Sequence, residues 1–237
     1  GTTTWNANDR IGIFMRSASG GTSYYDLNNI QYNVSSGATS SSATPVSSTI
    51  YFPNPNATTN VKFYGYYPYN SSSTTTPISY TIPTNQTGTA LASADLMSAT
   101  SASVNGTSPN VTLGFQHKLV LLTFNIKAGL TGGLLTSVTI GGTSVTNTGT
   151  LDLINNTLTP GTSAFSPTVT LNLTLLPSQT TTVDMIINPC TISGNPGNGS
   201  QIYVTFNYVL LARRTNLTTA QVFSGGTRYT YNINFSL

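Results

Sequence analysis

The chain has 237 residues, of which only 5% are charged: eight are basic, five are aspartate and none is glutamate. An average soluble domain carries roughly 25% charged residues. The few basic residues are scattered and form no cluster of the kind that nucleic-acid binding requires. The single cysteine excludes an internal disulfide framework, so the fold has to rest on packing and strand pairing.

Uncharged polar residues take the place of the missing charges. Ser, Thr, Asn and Gly suit β-sheet surfaces and turns, and they add no charge repulsion when many subunits lie side by side. This composition indicates an extracellular structural protein that assembles. No stretch approaches the roughly 18 consecutive apolar residues of a membrane-spanning helix. No signal peptide is present either, so we expect that any export signal was removed before this chain begins.

The first predicted element is a strand over Arg10–Met15, which follows the abrupt polar start Gly1–Trp5. We expect that a strand normally preceding it is missing. Ile11, Ile13 and Met15 would then lie at an open edge of the first domain, beside a hydrophobic groove. A strand from another copy of the chain could fill such a groove.

Short β-branched and aromatic runs continue along the first half, separated by clusters of Ser, Thr, Asn, Pro and Gly. This spacing is typical of a β-sandwich. The low-complexity stretch 35–44 is predicted to be an exposed loop. A second linker, 98–109, marks a boundary between two domains, 1–109 and 110–237. The predicted strands of this half are Ile30–Val34, Thr49–Phe52, Val61–Tyr67 and Ile78–Ile82.

Seven longer strands are predicted after the linker, enough for a complete sandwich. A short helix at Ala90–Ala94 is the one helical signal. The last strand alternates most regularly: Tyr229, Tyr231, Ile233 and Phe235 share one face, and polar residues occupy the other. The seven strands are 111–128, 134–140, 150–154, 168–176, 180–188, 201–211 and 228–237.

No pattern in the sequence points to catalysis, a metal or a cofactor. His117 is the only histidine, and no carboxylate stands near it in the sequence. Cys190 beside Pro189 is interpreted as a small buried residue. One histidine, one cysteine and no glutamate do not make a typical zinc site, and the five aspartates lie in separate elements. We therefore predict a protein that is not an enzyme and holds no metal or cofactor; a hydrolase is the weakest alternative.

Five sequence pieces, taken in order, resemble the fimbrillin-like family, the pilins and minor fimbrial proteins of type V pili in Bacteroidetes. No single piece is specific, but together they span nearly the whole chain. The pieces are Trp5–Phe14, Phe63–Tyr69, Asp95–Thr100, Leu113–Leu119 and Gly225–Tyr231.

The resemblance implies an all-β protein of two tandem transthyretin-like β-sandwich domains, the first lacking its N-terminal strand. It also implies export through the outer membrane as a lipoprotein precursor, a membrane link only through that precursor's lipid anchor, and assembly outside the cell. In the family, a protease cuts after an arginine and releases the first strand, and a neighbouring subunit's strand then fills the groove. A recombinant truncation would leave the same start.

The expected function is that of a structural pilin that forms a homopolymer by donor-strand exchange, with other pilus subunits or host surface ligands as further partners. The donor is placed at Arg228–Leu237, with Tyr229, Tyr231, Ile233 and Phe235 filling the pockets. Two other possibilities remain for this segment: it completes its own domain, while the N-terminal tail 1–8 donates, or the subunit receives without donating.

The alternative function is a tip or accessory adhesin that binds glycans or host surface proteins. It rests on the tyrosine-rich stretch 64–69, because sugars stack on exposed aromatic rings. Its members are Tyr64, Tyr66, Tyr67 and Tyr69.

Overall fold

The computed structural model describes residues 4–18, 27–35, 37, 39–52, 60–128, 133–192, 202–208, 212–217 and 220–235. Nearly all regular structure in these residues is strand, which confirms the predicted all-β class. The elements of the first half are β1 (Arg10–Ser17), β2 (Ile30–Val34), β3 (Ala43–Pro45), β4 (Val61–Tyr67), β5 (Ile78–Thr81), α1 (Thr89–Ala94), β6 (Met97–Thr100) and β7 (Gln116–His117). Those of the second half are β8 (Val120–Ala128), β9 (Gly133–Gly141), β10 (Thr148–Asp152), β11 (Thr157–Pro160), β12 (Thr168–Leu175), β13 (Thr180–Ile187), β14 (Cys190–Ile192), β15 (Ile202–Tyr208), β16 (Ala212–Leu217), β17 (Gln221–Phe223) and β18 (Arg228–Phe235).

The chain forms two compact units that interleave along the sequence. The first comprises Gly1–Ser79, Leu96–His117 and Thr150–Leu158, and the second comprises Tyr80–Asp95, Lys118–Gly149 and Thr159–Leu237. The units therefore differ from the continuous segments 1–109 and 110–237 predicted from the sequence. Residues 80–95 pack with the second unit and residues 110–117 with the first.

A six-stranded sheet organises the first unit, in the order β3-β2-β1-β4-β6-β7. β1 pairs antiparallel with β2 on one side and with β4 on the other. β1 is thus a central strand, and the prediction that Ile11, Ile13 and Met15 lie at an open edge is wrong. The physical reason is that β2 and β4 occupy both edges of β1, so its backbone hydrogen bonds are used within the unit.

Both faces of β1 and β4 are covered, which explains why these strands are almost continuously apolar and aromatic rather than strictly alternating. On one face a hydrophobic cluster joins Ile11, Ile13 and Met15 to Phe63 and Tyr67. Met15 is completely buried in this cluster.

The second unit contains two sheets, β12-β9-β15-β16 and β13-β8-β18, and a β14-β17 pair. Alternate residues of these strands point into one hydrophobic cluster, with Leu122, Phe124 and Ile126 from β8 fully buried beside Phe206 from β15. The arrangement of alternating inward residues is that expected of a sandwich. β5, β10 and β11 form a further sheet in the order β11-β10-β5.

β18 is an edge strand that runs parallel to β8 over eight residue pairs, from Arg228 opposite Leu121 to Phe235 opposite Ala128. A tight turn leads into it. Gly226 has a φ of 72° and donates its N–H to the Leu119 carbonyl at 2.8 Å. A side chain on Gly225 would collide with the Lys118 carbonyl, 2.4 Å from the position of a Cβ. Both glycines are thus required by the geometry of the turn.

Candidate binding groove in the first unit

A groove of about 690 Å³, lined by apolar and aromatic side chains and by the hydroxyl-bearing residues Thr39, Ser40, Ser41, Ser42 and Thr112, opens in the first unit. Ile11 and Ile13 of β1, Tyr32 and Val34 of β2, and Phe63 of β4 line one part of it. The pairing register places Ile11 beside Tyr32, and Ile13 opposite Gly65 of β4. We call these five lining residues, 11, 13, 32, 34 and 63, the floor. None of the described residues that line the groove is charged.

One wall of the groove is the segment Pro109–Phe115, which leads into β7. Leu113 and Phe115 approach the same point of β4: a Cβ on Gly65 would lie 3.2 Å from Leu113 Cδ1 and 2.9 Å from Phe115 Cζ. The intervening Gly114 faces open space, with no heavy atom within 4 Å of its Cβ position. The absence of a side chain at Gly65 is what allows this wall to pack on the sheet.

Further lining residues come from 39–43 and from Ile50 and Phe52. The Phe52 and Phe63 rings meet edge to face, with centroids 6.0 Å apart. The Tyr32 phenol has a backbone hydrogen bond with Ile50; burial raises the pKa of Tyr32, and this hydrogen bond lowers it in part. The stretch 50–52 is thereby held on the floor by the Phe52 ring contact and by the hydrogen bond between Tyr32 and Ile50. Tyr51, which lies between Ile50 and Phe52, is 75% exposed.

Trp5 also lines the groove. Its indole meets Tyr67 and Phe115 edge to face, at centroid distances of 5.5 Å and 5.1 Å. The turn that follows Trp5 is fixed by Asp9, whose carboxylate accepts the Asn6 N–H at 2.8 Å. Sequence reasoning did not identify Trp5 or 109–115 as part of a site. The alternation of Val111, Leu113 and Phe115 was the available signal.

The residues predicted as donor lie in β18 of the second unit. Tyr229, Tyr231 and Ile233 are half-buried and pack against the unit's hydrophobic cluster, while Thr230, Asn232 and Asn234 are exposed. The side chain of Phe235 lies outside the described residues. The structure therefore separates the two predicted sets: Ile11 and Ile13 line the groove of the first unit, whereas the predicted donor residues pack in the second.

Aromatic contacts hold β18 in place. The Tyr229 ring meets Phe223 at 4.9 Å, and the Tyr231 ring stacks on Phe124 at 5.8 Å. The Tyr229 hydroxyl accepts the Ser224 N–H at 2.9 Å and donates to the Val222 carbonyl at 3.0 Å. Burial raises the pKa of Tyr231, and the neighbouring Tyr229 adds to the rise.

Three of the four tyrosines that motivated a glycan-binding surface are buried. Tyr64, Tyr66 and Tyr67 are 4%, 1% and 9% exposed, and the Tyr66 hydroxyl donates to Asn29 Oδ1 at 2.7 Å. A sugar cannot stack on these three rings, whereas the fourth, Tyr69, is half-buried.

Catalytic and metal-binding groups are as sparse in space as in the sequence. Among the described residues, no three His, Cys, Asp or Glu side chains lie close enough together to hold a metal ion. Burial raises the pKa of the Cys190 thiol to about 11. No helix in the described part of the chain is long and apolar enough to cross a membrane.

The fold is similar to that of cell adhesion and fimbrial proteins whose structures have been solved. A candidate cell adhesion protein from Bacteroides uniformis is 26% identical and has a TM-score of 0.75, with 100% of this chain and 90% of that chain covered. A second, from Bacteroides ovatus, is 20% identical with a TM-score of 0.70, and 99% and 84% of the two chains are covered. The tip fimbrial protein Mfa3 from Porphyromonas gingivalis shares the fold at 11% identity and a TM-score of 0.55, with coverage of 98% and 90%.

No curated protein sequence matches the chain. The model of the fimbrillin-like family, in contrast, matches residues 1–236, practically the entire sequence. The chain therefore belongs to the fimbrillin-like family.

Proposed function

We propose that this protein is a structural subunit of a cell-surface pilus, not an enzyme, and that subunits join when a strand of one copy enters the groove of the next. The observation that carries the proposal is the uncharged groove over the floor residues Ile11, Ile13, Tyr32, Val34 and Phe63. Membership of the fimbrillin-like family supports a place on the cell surface and assembly with other pilus subunits. Export as a lipoprotein precursor belongs to the same proposal.

A β-strand suits this groove better than a compact ligand does. Alternate side chains of an added strand point to one side, so a single segment can fill several apolar positions while its backbone pairs with an edge. Each large apolar side chain buried in this way contributes roughly 1.5–3 kcal/mol. A few such residues, together with a ladder, would make exchange of subunits slow.

The donor that we propose is β18 of a second copy. Its inward residues Tyr229, Tyr231 and Ile233 are large and uncharged, as an uncharged groove requires, and its outward residues are polar. Because β18 is an edge strand, it can leave its sheet without breaking a ladder on its other side. Among its described side chains, 228–234, none is fully buried.

Donation has a cost in the second unit, because the rings of Phe124 and Phe223 lose their partners Tyr231 and Tyr229. Such aromatic pairs contribute about 0.5–1.5 kcal/mol each beyond the area that they bury. The groove offers rings of the same kind in return, at Phe63, Phe115 and Trp5. The exchange then replaces one set of apolar contacts with another.

A disulfide that holds β18 in its own sheet tests directly whether β18 is the donor strand. Asn125 and Asn232 are opposite each other in the β8–β18 ladder, and the Asn125 amide donates to Asn232 Oδ1 at 3.0 Å. Neighbouring strands lie about 4.8 Å apart, which is within the Cα separation that disulfides need. The variant is Asn125→Cys with Asn232→Cys in a Cys190→Ser background.

Reduced chains should assemble into fibres, and oxidised chains should stay monomeric by electron microscopy and size-exclusion chromatography. The single variant Asn125→Cys under oxidising conditions is the matched control. Equal fibre formation by oxidised and reduced chains would exclude β18 and move the donor role to the N-terminal segment 1–8, of which residues 1–3 lie outside the described part.

A further inference from the structure

The wall segment 109–115 has the side-chain pattern of a strand but not the pairing of one. Val111, Thr112, Leu113 and Phe115 line the groove. Burial alternates along the segment: Leu113, Phe115 and His117 are half-buried, whereas Thr112, Gly114 and Gln116 are exposed. Such a two-residue period is the period of an extended chain. The next two residues, Gln116 and His117, are already strand and pair with β6.

The backbone of this segment is unused within the described part of the chain. Residues 109–115 take part in none of the ladders there, and none of them forms a backbone hydrogen bond with another described main-chain group. Unpaired N–H and C=O groups of a strand-like segment are a template for pairing with another chain. Burial under an incoming strand would leave them unsatisfied unless that strand bonds to them.

We propose that residues 110–115 are the edge on which the incoming strand builds its backbone ladder, so that the segment becomes a strand continuous with β7 when the groove is occupied. This inference rests on the proposed function, because it takes an extended strand of a second copy as the occupant. The floor residues then contact the side chains of the incoming strand, and the wall segment pairs with its backbone.

The segment is already positioned for this role. Leu113 and Phe115 are anchored over Gly65, and Phe115 also contacts the Trp5 indole at a centroid distance of 5.1 Å. The anchored side chains fix the backbone before the partner arrives, so little further ordering is needed. A pre-ordered edge of this kind reduces the entropy cost of binding.

The experiment measures occupancy and pairing separately. The full chain is mixed with a synthetic peptide that copies residues 227–237, and occupancy is followed by the fluorescence of Trp5, the only tryptophan in the chain. Amide hydrogen exchange is then measured residue by residue by NMR. The matched control peptide carries Tyr231→Asp and Ile233→Asp and should not bind.

Bound peptide should slow the exchange of every second amide in 110–115 by on the order of 100-fold, because a ladder bond has to open before exchange. Only alternate amides of a strand point to one partner. A fluorescence change without any protection in 110–115, or with protection at Ala43–Pro45 or Ile50–Phe52 instead, overturns the inference and leaves the proposed function standing. Absence of peptide binding excludes β18 as the occupant of the groove and overturns the inference that rests on it.

Discussion

Gly65 lies directly beneath Phe115, so closely that a Cβ on Gly65 would be 2.9 Å from the tip of the Phe115 ring. This distance is shorter than real carbon contacts, and the ring would have to move. The same Cβ would be 3.2 Å from Leu113 Cδ1 and 3.4 Å from Ile13 Cδ1. The width of the groove therefore depends on a missing side chain in the middle of a buried strand, where glycine is otherwise unfavourable.

We predict that Gly65→Ala displaces the Phe115 ring from its position over the sheet and thereby changes the shape of the groove. Overpacking of this kind typically costs about 1–3 kcal/mol. Binding of the 227–237 peptide should weaken about tenfold, which corresponds to about 1.4 kcal/mol. The affinity can be measured by the fluorescence of Trp5.

Gly114→Ala is the matched control, because its added Cβ would meet no atom within 4 Å and the substitution keeps the backbone N–H and C=O groups on which the ladder is proposed to form. It lies on the same wall, one residue from Phe115. If both variants bind the peptide equally well, the position of the Phe115 ring does not set the width of the groove.

The regular alternation of β18 could be predicted from the sequence, because it is a local property of consecutive residues. Predicted strand 228–237 agrees with the observed Arg228–Phe235, whose half-buried and exposed residues alternate as expected. The short helix was found at Thr89–Ala94, close to the predicted Ala90–Ala94. The side-chain period determines the prediction of β18, and the alanine-rich composition of 90–94 determines that of the helix.

Pairing could not be predicted in the same way, because it depends on residues far apart in the sequence. The predicted strand at 111–128 begins only at Gln116, since 111–115 have the alternation but no partner in the described chain. The predicted linker 98–109 overlaps β6, whose Ser98 and Ala99 are small, show no apolar period and are buried by pairing with β4. A groove beside Ile11 and Ile13 could be predicted, and both residues line the groove. Its wall at 109–115 could not, because that wall depends on which strands pair.

A second prediction concerns Gln86, which is 1% exposed and pairs with the backbone of β13 as a strand would. Its side-chain amide donates to the Ile186 carbonyl at 2.8 Å, and its Oε1 accepts the Ile186 N–H at 2.7 Å. Gln86→Ala leaves two buried backbone groups without their partner. Each such group costs about 1–3 kcal/mol.

Urea unfolding should therefore show Gln86→Ala to be less stable by about 2–6 kcal/mol, the sum for two such groups. Gln179→Ala is the control, because Gln179 is exposed and exposed substitutions usually change stability by less than about 0.5 kcal/mol. Equal stabilities of the two variants would show that water replaces Gln86 at the β13 edge.

A third prediction concerns the reactivity of Cys190. Burial raises the pKa of its thiol from 9.0 to about 11, and the thiolate is the reactive form. Between pH 8 and 9 the folded chain thus holds much less thiolate than the unfolded chain does. Alkylation by iodoacetamide at pH 8.5 should be slower in the folded chain by on the order of 100-fold than in urea.

The pH dependence gives the sign of this effect. A raised pKa means that the folded chain keeps more of the thiol protonated, so the folded rate should still be rising as the pH approaches about 11. The unfolded rate should be half-maximal near pH 9 and level off at higher pH. Coincident pH profiles for the two states would mean that the thiol is open to solvent.

The last prediction connects the stability of β18 in its own sheet with the rate of assembly. The Tyr229 hydroxyl bonds to both Ser224 and Val222, and thereby ties β18 to the turn before it. Tyr229→Phe removes these two bonds, which contribute about 0.5–1.5 kcal/mol each, but keeps the ring that fills a groove position. If β18 is the donor, the variant should release the strand more readily and form fibres faster, as followed by light scattering.

Tyr80→Phe is the matched control: it removes the hydrogen bond from the Tyr80 hydroxyl to Asn188 Oδ1 at 2.6 Å, in the same unit but outside β18. A general loss of stability in the second unit would accelerate both variants, whereas donation by β18 accelerates only Tyr229→Phe. An unchanged rate for Tyr229→Phe would indicate that β18 remains in its own sheet during assembly.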